Sequence, residues 1–138
     1  VCYLRRDPEC KFLVTNRDKI VPFNDQLVPS NGMVVAGIEC SAERPVDELI
    51  GKPTTTMIDL LDETAGLNRD RSIMVGDNLD TDILFGIAGG THTMLVLSGV
   101  SSEGQARARA PADQPEVIAD SVKVLADRLT ELEVELQR

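Results

Sequence analysis

Met74-Val75-Gly76-Asp77-Asn78-Leu79-Asp80-Thr81-Asp82-Ile83 is the stretch on which the fold turns. Ile73-Met74-Val75 is a short apolar run stopped by Gly76-Asp77, the pattern of a buried strand that ends abruptly. Asp80 and Asp82 then crowd the first turn of a short helix carrying Ile83, Leu84 and Ile87, which Gly89-Gly90 terminates. A strand that hands over directly to a helix is the repeating unit of a parallel sheet with helices on its faces. In such sheets ligands sit beyond the carboxyl ends of the strands. Three carboxylates within six residues at such an end form a site for a hard cation. Mg²⁺ takes oxygen ligands and keeps waters that a substrate phosphate can replace. Gly76 is expected to let the backbone turn sharply and aim Asp77 into the cleft. Helix capping is the competing reading, because an acid at a helix start is favourable whatever the function. Asp80 reads mainly as a cap, Asp77 as functional, and Asp82 lies between the two.

Working outward, the chain keeps alternating. Upstream, Phe12-Leu13-Val14 reads as a buried strand entering the polar turn Thr15-Asn16-Arg17-Asp18, followed by a loop with Pro22 and Pro29. Ser30 can cap a helix from Gly32 to about Ala42, with a β-branched strand as the alternative. Glu48-Leu49-Ile50 looks like a strand delivering Gly51-Lys52-Pro53. Pro53 suits a first helical position, Met57, Ile58, Leu61 and Ala65 share one apolar face, and Gly66 sits where a C-cap glycine belongs. Downstream, Met94 to Leu97 is a third strand, Ser101 to Pro115 a helix with a loop, and Val117-Ile118-Ala119 a fourth strand. A closing helix starts near Ser121, with Val122, Leu125, Leu129, Leu132 and Leu136 on one stripe. Lys52, Asp77 and Ser98 each follow a strand, which predicts that they line one edge of one sheet. An ammonium beside the acidic strand end can neutralise a phosphoryl oxygen in a loose transition state.

Composition narrows the options. The 138 residues, 42% hydrophobic and 27% charged, amount to about one soluble domain. A net charge of −9 repels phosphate backbones and makes nucleic acid a poor partner, and any anionic substrate needs a locally positive pocket. No apolar run approaches the roughly 20 residues of a membrane span. Cys2, Cys10 and Cys40 show neither CxxC spacing nor a His/Cys cluster, which argues against a disulfide framework or zinc site and for a reducing, cytoplasmic setting. His92 is the single histidine, so no Ser/His or Cys/His system is complete, and no GxGxxG follows a strand.

Taken together, Gly51-Lys52-Pro53, Val75-Gly76-Asp77-Asn78-Leu79-Asp80-Thr81-Asp82-Ile83-Leu84-Phe85-Gly86 and Leu95-Val96-Leu97-Ser98-Gly99-Val100 resemble the haloacid dehalogenase (HAD) superfamily of phosphohydrolases. Within it the likeness is to the capped nitrophenylphosphatase and phosphoglycolate phosphatase family. The resemblance implies an α/β fold, a HAD-like Rossmannoid parallel sheet with helices on both faces plus the tail of an α/β cap domain. Residues 1–46 would be the end of the cap and 47–138 the C-terminal half of the core. It further implies an aspartate nucleophile, Mg²⁺, and a small phosphorylated metabolite as substrate, without nucleic acid or membrane, and with a homodimer as an open option. Lys52 matches the family's lysine, catalytic and substrate-binding. Asp77 matches its metal-binding acid, and Asp82 the following acid, which supports either the metal shell or the lysine. The family's Asp-x-Asp-Gly nucleophile motif is absent, and Thr15-Asn16 aligns with the cap. The chain also opens on Val1. The expectation is therefore the C-terminal half of a longer enzyme, inactive and marginally stable alone. A non-catalytic α/β binding module is the runner-up, and a phospho-acceptor receiver domain a distant third.

Overall fold

The computed structural model describes residues 1–24 and 26–136. Its elements run α1 (Cys2–Arg6), β1 (Leu13–Val14), β2 (Ile20–Phe23), β3 (Gln26–Pro29), α2 (Asn31–Ala42), β4 (Glu48–Leu49), α3 (Thr56–Ala65), β5 (Ile73–Gly76), α4 (Leu84–Ala88), β6 (His92–Val96), α5 (Glu103–Arg107), β7 (Val117–Ala119) and α6 (Lys123–Leu136). The fold class is α/β, as read from the alternation. The strands form a three-stranded parallel sheet ordered β5-β6-β7, a parallel pair β1-β4 and an antiparallel hairpin β2-β3. Lys52 and Asp77 therefore follow strands of two different parallel sheets, not of one as expected.

The hydrophobic core belongs to the three-stranded sheet. Leu79, Ile83, Leu95 and Ala106 are buried together, with Ile87, Leu97 and Ile118 packed against them. The residues come from the acidic segment, from β6 and from α5, so the strand-to-helix turn is pinned by apolar burial on its inner side. Gly86 permits close packing there, since a Cβ would stand 2.6 Å from the Thr93 methyl. Within the three-stranded sheet, β5 pairs only with β6, which leaves the other edge of β5 without a strand among the described residues.

Several local expectations are corrected. The Pro22 and Pro29 segment is not a loop but the β2-β3 hairpin, with Pro22 opposite Leu27 and Pro29 opposite Ile20. Proline is tolerated in so short a ribbon because each strand has a free edge. Pro53 lies in a turn ahead of α3, across a cis Lys52–Pro53 bond, rather than at the first helical position. Of the α3 face only Ile58 is buried, while Met57 and Leu61 are exposed. Of the α6 stripe, Val122 and Leu129 are exposed and Leu125 is half-buried; Leu132 and Leu136 lie outside the described side chains. The helix reading of Asn31–Ala42 holds, and Gly66 ends α3 in the left-handed region at φ 64°.

Candidate functional site

At the carboxyl end of β5 the chain makes a wide π-type turn, Leu79–Ile83, in which the amides of Asp82 and Ile83 both donate to the Asn78 carbonyl, at 2.9 and 3.2 Å. Leu79 and Ile83 face the core, and Asp82 is carried inward on the same side. Its side chain is only 6% exposed. Such burial requires partners, and Asp82 has them. Lys52 Nζ donates to Asp82 Oδ1 at 2.5 Å, and the amides of Asp77 and Asn78 donate to Oδ2, each at 3.1 Å. One carboxylate thus ties the lysine after β4 to the loop after β5.

Glycine makes this closeness possible. A Cβ on Gly76 would fall 2.3 Å from the Asp82 Cβ, so glycine is required there for close approach, and its φ is not positive. A Cβ on Gly51 would stand 1.5 Å from the Thr15 carbonyl oxygen, which packs the β1 exit against the segment carrying Lys52.

Asp77 is half-buried. Its Oδ2 accepts from the Val100 amide at 2.9 Å, and its carbonyl accepts from the Ser101 amide at 2.9 Å. Its Oδ1 accepts no hydrogen bond among the described residues. Ser101 Oγ in turn accepts from the Leu79 amide at 3.1 Å, so the 98–101 loop and the acidic segment are laced together. Asp80 is not the cap it was expected to be. The cap is Asn78, whose side chain accepts from the Asp80 amide at 2.9 Å, while the Asp80 carboxylate is exposed and pairs with Arg109.

Lys52, Asn78, Asp80 and Ser101 line a cleft of about 630 Å³, with Asp77 and Asp82 behind its lining. Four of the chain's 14 basic residues line it, namely Arg17, Lys19, Lys52 and Arg109, against the acids Asp18 and Asp80. In a chain of net charge −9 this lining holds more basic than acidic side chains, in the direction that an anionic substrate requires. Sequence reading missed Arg109 because its partner lies 29 residues away. His92 stands apart at the amino end of β6, exposed, its Nδ1 2.7 Å from Glu116 Oε2. The hydrogen bond and charge of Glu116 raise its pKa, and its other ring nitrogen stands 3.2 Å from the Asp70 carbonyl oxygen. Cys2, Cys10 and Cys40 are unbridged.

A metal fits this arrangement in part. Among the described residues no group of three or more His, Cys, Asp or Glu side chains is placed to hold an ion. Asp77 offers a hard, open oxygen, whereas both oxygens of Asp82 are engaged.

Residues 49–125 match the HAD-hydrolase-like family model. Phosphoglycolate phosphatase 2 of Arabidopsis thaliana is 40% identical over 128 residues, covering 88% of this chain and 42% of that protein. A 4-nitrophenylphosphatase of Thermotoga maritima superposes with a TM-score of 0.77 at 31% identity, covering 91% of this chain and 47% of that one. The glycerol phosphate phosphatase of Mycobacterium tuberculosis, solved with magnesium, gives a TM-score of 0.73 at 27% identity over 84% of this chain and 34% of that one. The chain spans less than half the length of each of these three relatives.

Proposed function

The chain belongs to the HAD-hydrolase-like family, and from that premise we propose that the whole protein is a Mg²⁺-dependent phosphatase of small phosphomonoesters. The observation that carries the reading is the Lys52–Asp82 pair, which holds an ammonium in the cleft on the same carboxylate that accepts from the Asp77 amide. Phosphoglycolate and aryl phosphates are the substrate types suggested by the relatives' names. Residues 1–46 serve as the end of a cap and residues 47–138 as part of the catalytic core.

In this mechanism Lys52 steadies the phosphoryl oxygens with a charge already oriented by Asp82, which avoids reorganisation during the reaction. Asp77 is the residue of this chain that would hold Mg²⁺, through Oδ1, with the Val100 amide fixing its other oxygen. Of the two roles open to Asp82, support of the lysine fits better than the metal shell, since its lone pairs are taken. When bound, the ion offsets the negative charge that builds on the transferring group. An aspartate outside residues 1–138 acts as nucleophile: it takes the phosphoryl group from the leaving alcohol, and water then hydrolyses the aspartyl phosphate. The open edge of β5 offers the strand bearing it a place to pair.

The test is phosphate release by the full-length protein from a panel of phosphomonoesters with Mg²⁺. Lys52→Ala and Asp77→Ala are each expected to lower kcat by about 100-fold or more. The 138-residue chain alone is expected to release none. A full-length protein inactive on the whole panel sinks the proposal, as does turnover by the 138-residue chain that Asp77→Ala abolishes.

A further inference from the structure

The Asp80–Arg109 pair shares the cleft with Lys52, and the mechanism above gives it no task. Stability does not account for it. The Asp80 side chain is 73% exposed, and pairs so wet contribute little to folding. The backbone around Arg109 is nevertheless held firmly: Gln114 Nε2 donates to the Arg109 carbonyl at 2.9 Å and to the Arg107 carbonyl at 3.3 Å. The loop after α5 is thereby braced, and the Arg109 side chain spans from it to the acidic turn.

The other cations of the cleft differ in the acid that holds them. Lys52 is engaged by the buried Asp82, and Arg17 at 2.5 Å by Glu39, an acid 22% exposed that also accepts from the Val46 amide, whereas Arg109 meets only the wet Asp80. Lys19 is an exposed point charge. Arg109 uses one terminal nitrogen on Asp80, and its remaining N–H groups meet no acceptor among the described residues. A planar guanidinium with spare donors suits two-point recognition of a carboxylate or phosphate. The phosphoryl group already has Lys52, so this second, separate fork calls for a second anion on the same substrate.

We propose that Arg109 is a specificity-determining residue that receives an anionic group on the leaving alcohol of the phosphomonoester, in competition with Asp80, which occupies one of its nitrogens when the cleft is empty. The inference rests on the phosphatase reading. It assigns the preference for anionic leaving groups to the core loop after α5, on the opposite side of the sequence from the cap tail.

The experiment compares, in the full-length enzyme, kcat/KM for monoesters with a carboxylate or a second phosphate on the alcohol against kcat/KM for nitrophenyl phosphate and a neutral alkyl phosphate. Arg109→Gln is expected to lower the anionic-to-neutral ratio by about 10- to 100-fold, chiefly through KM, the worth of a charge-assisted hydrogen bond. Arg109→Lys restores part of the ratio, and Asp80→Asn, which frees the fork from its competitor, raises it. The two anionic sets separate a carboxylate preference from a phosphate preference. Because neutral turnover is read in the same preparation, a misfolded variant is recognised at once, and Asp80→Asn then carries the test. An anionic-to-neutral ratio that stays within twofold in both Arg109→Gln and Asp80→Asn overturns the proposal, whereas wild-type inactivity on every monoester defeats the phosphatase reading instead.

Discussion

The two ends of the parallel sheet carry the same chemistry in opposite settings. At the carboxyl end a lysine meets an aspartate, and at the amino end a histidine meets a glutamate. Asp82 is buried, with backbone amides on one oxygen and Lys52 on the other. His92 and Glu116 are each more than half exposed. An ion pair matters to a fold when one member is desolvated and would be left short of a partner by the loss of the other, and only the carboxyl end has a buried member. Asymmetry of burial, rather than the presence of charge, marks the end at which chemistry is expected.

The largest effect should come from Asp82→Ala. It strips two amides and an ammonium of their acceptor beneath the core, and is expected to cost about 3 kcal/mol in urea unfolding. A loss below about 1 kcal/mol would place the two ends on an equal footing. Gly99→Ala should come next. Its methyl would stand 1.8 Å from Asp77 Oδ2, so the carboxylate must move. A stability loss of about 1–2 kcal/mol, with a fall in kcat that added Mg²⁺ only partly recovers, is expected. Unchanged activity would show that the position of Asp77 is not critical.

The smallest effect belongs to the amino end. Glu116 raises the His92 pKa above the ordinary 6.5, so the pair's contribution is fully present below about pH 6.5 and fades as pH rises through the folded-state value. The stability difference between the wild type and His92→Gln should therefore shrink from pH 5.5 to pH 8.5 or so. A flat difference would remove the pair from the comparison.

The carboxyl end was legible because strand ends announce themselves. The apolar triplet Ile73-Met74-Val75 stopped by Gly76-Asp77, and Leu49-Ile50 stopped by Gly51-Lys52, place Asp77 and Lys52 after strands without any tertiary knowledge. The residues alone did not single out the acid that serves the lysine, since Asp77, Asp80 and Asp82 differ in sequence only by offset; the resemblance offered Asp82 for it, with the metal shell as the other role. The π-type turn, set by the burial of Leu79 and Ile83, sends Asp82 inward and leaves Asp80 outside. The Asn78 cap was missed because an aspartate two residues on is an equally good candidate by type. The β2-β3 hairpin was obscured by its prolines, and the apolar stripes of α3 and α6 showed a period without showing what covers it. Periodicity reveals a face, and only packing supplies its partner.

The link from Lys52 to Asp82 also fixes when a particular entropy is lost. A free lysine gives up roughly 1.5–2 kcal/mol of rotamer freedom when it is immobilised. Here that ordering accompanies folding, because Asp82 is already seated under the core when any anion arrives. Capture of an anion at Lys52 is thus relieved of a conformational charge that a loose surface lysine would levy at each encounter.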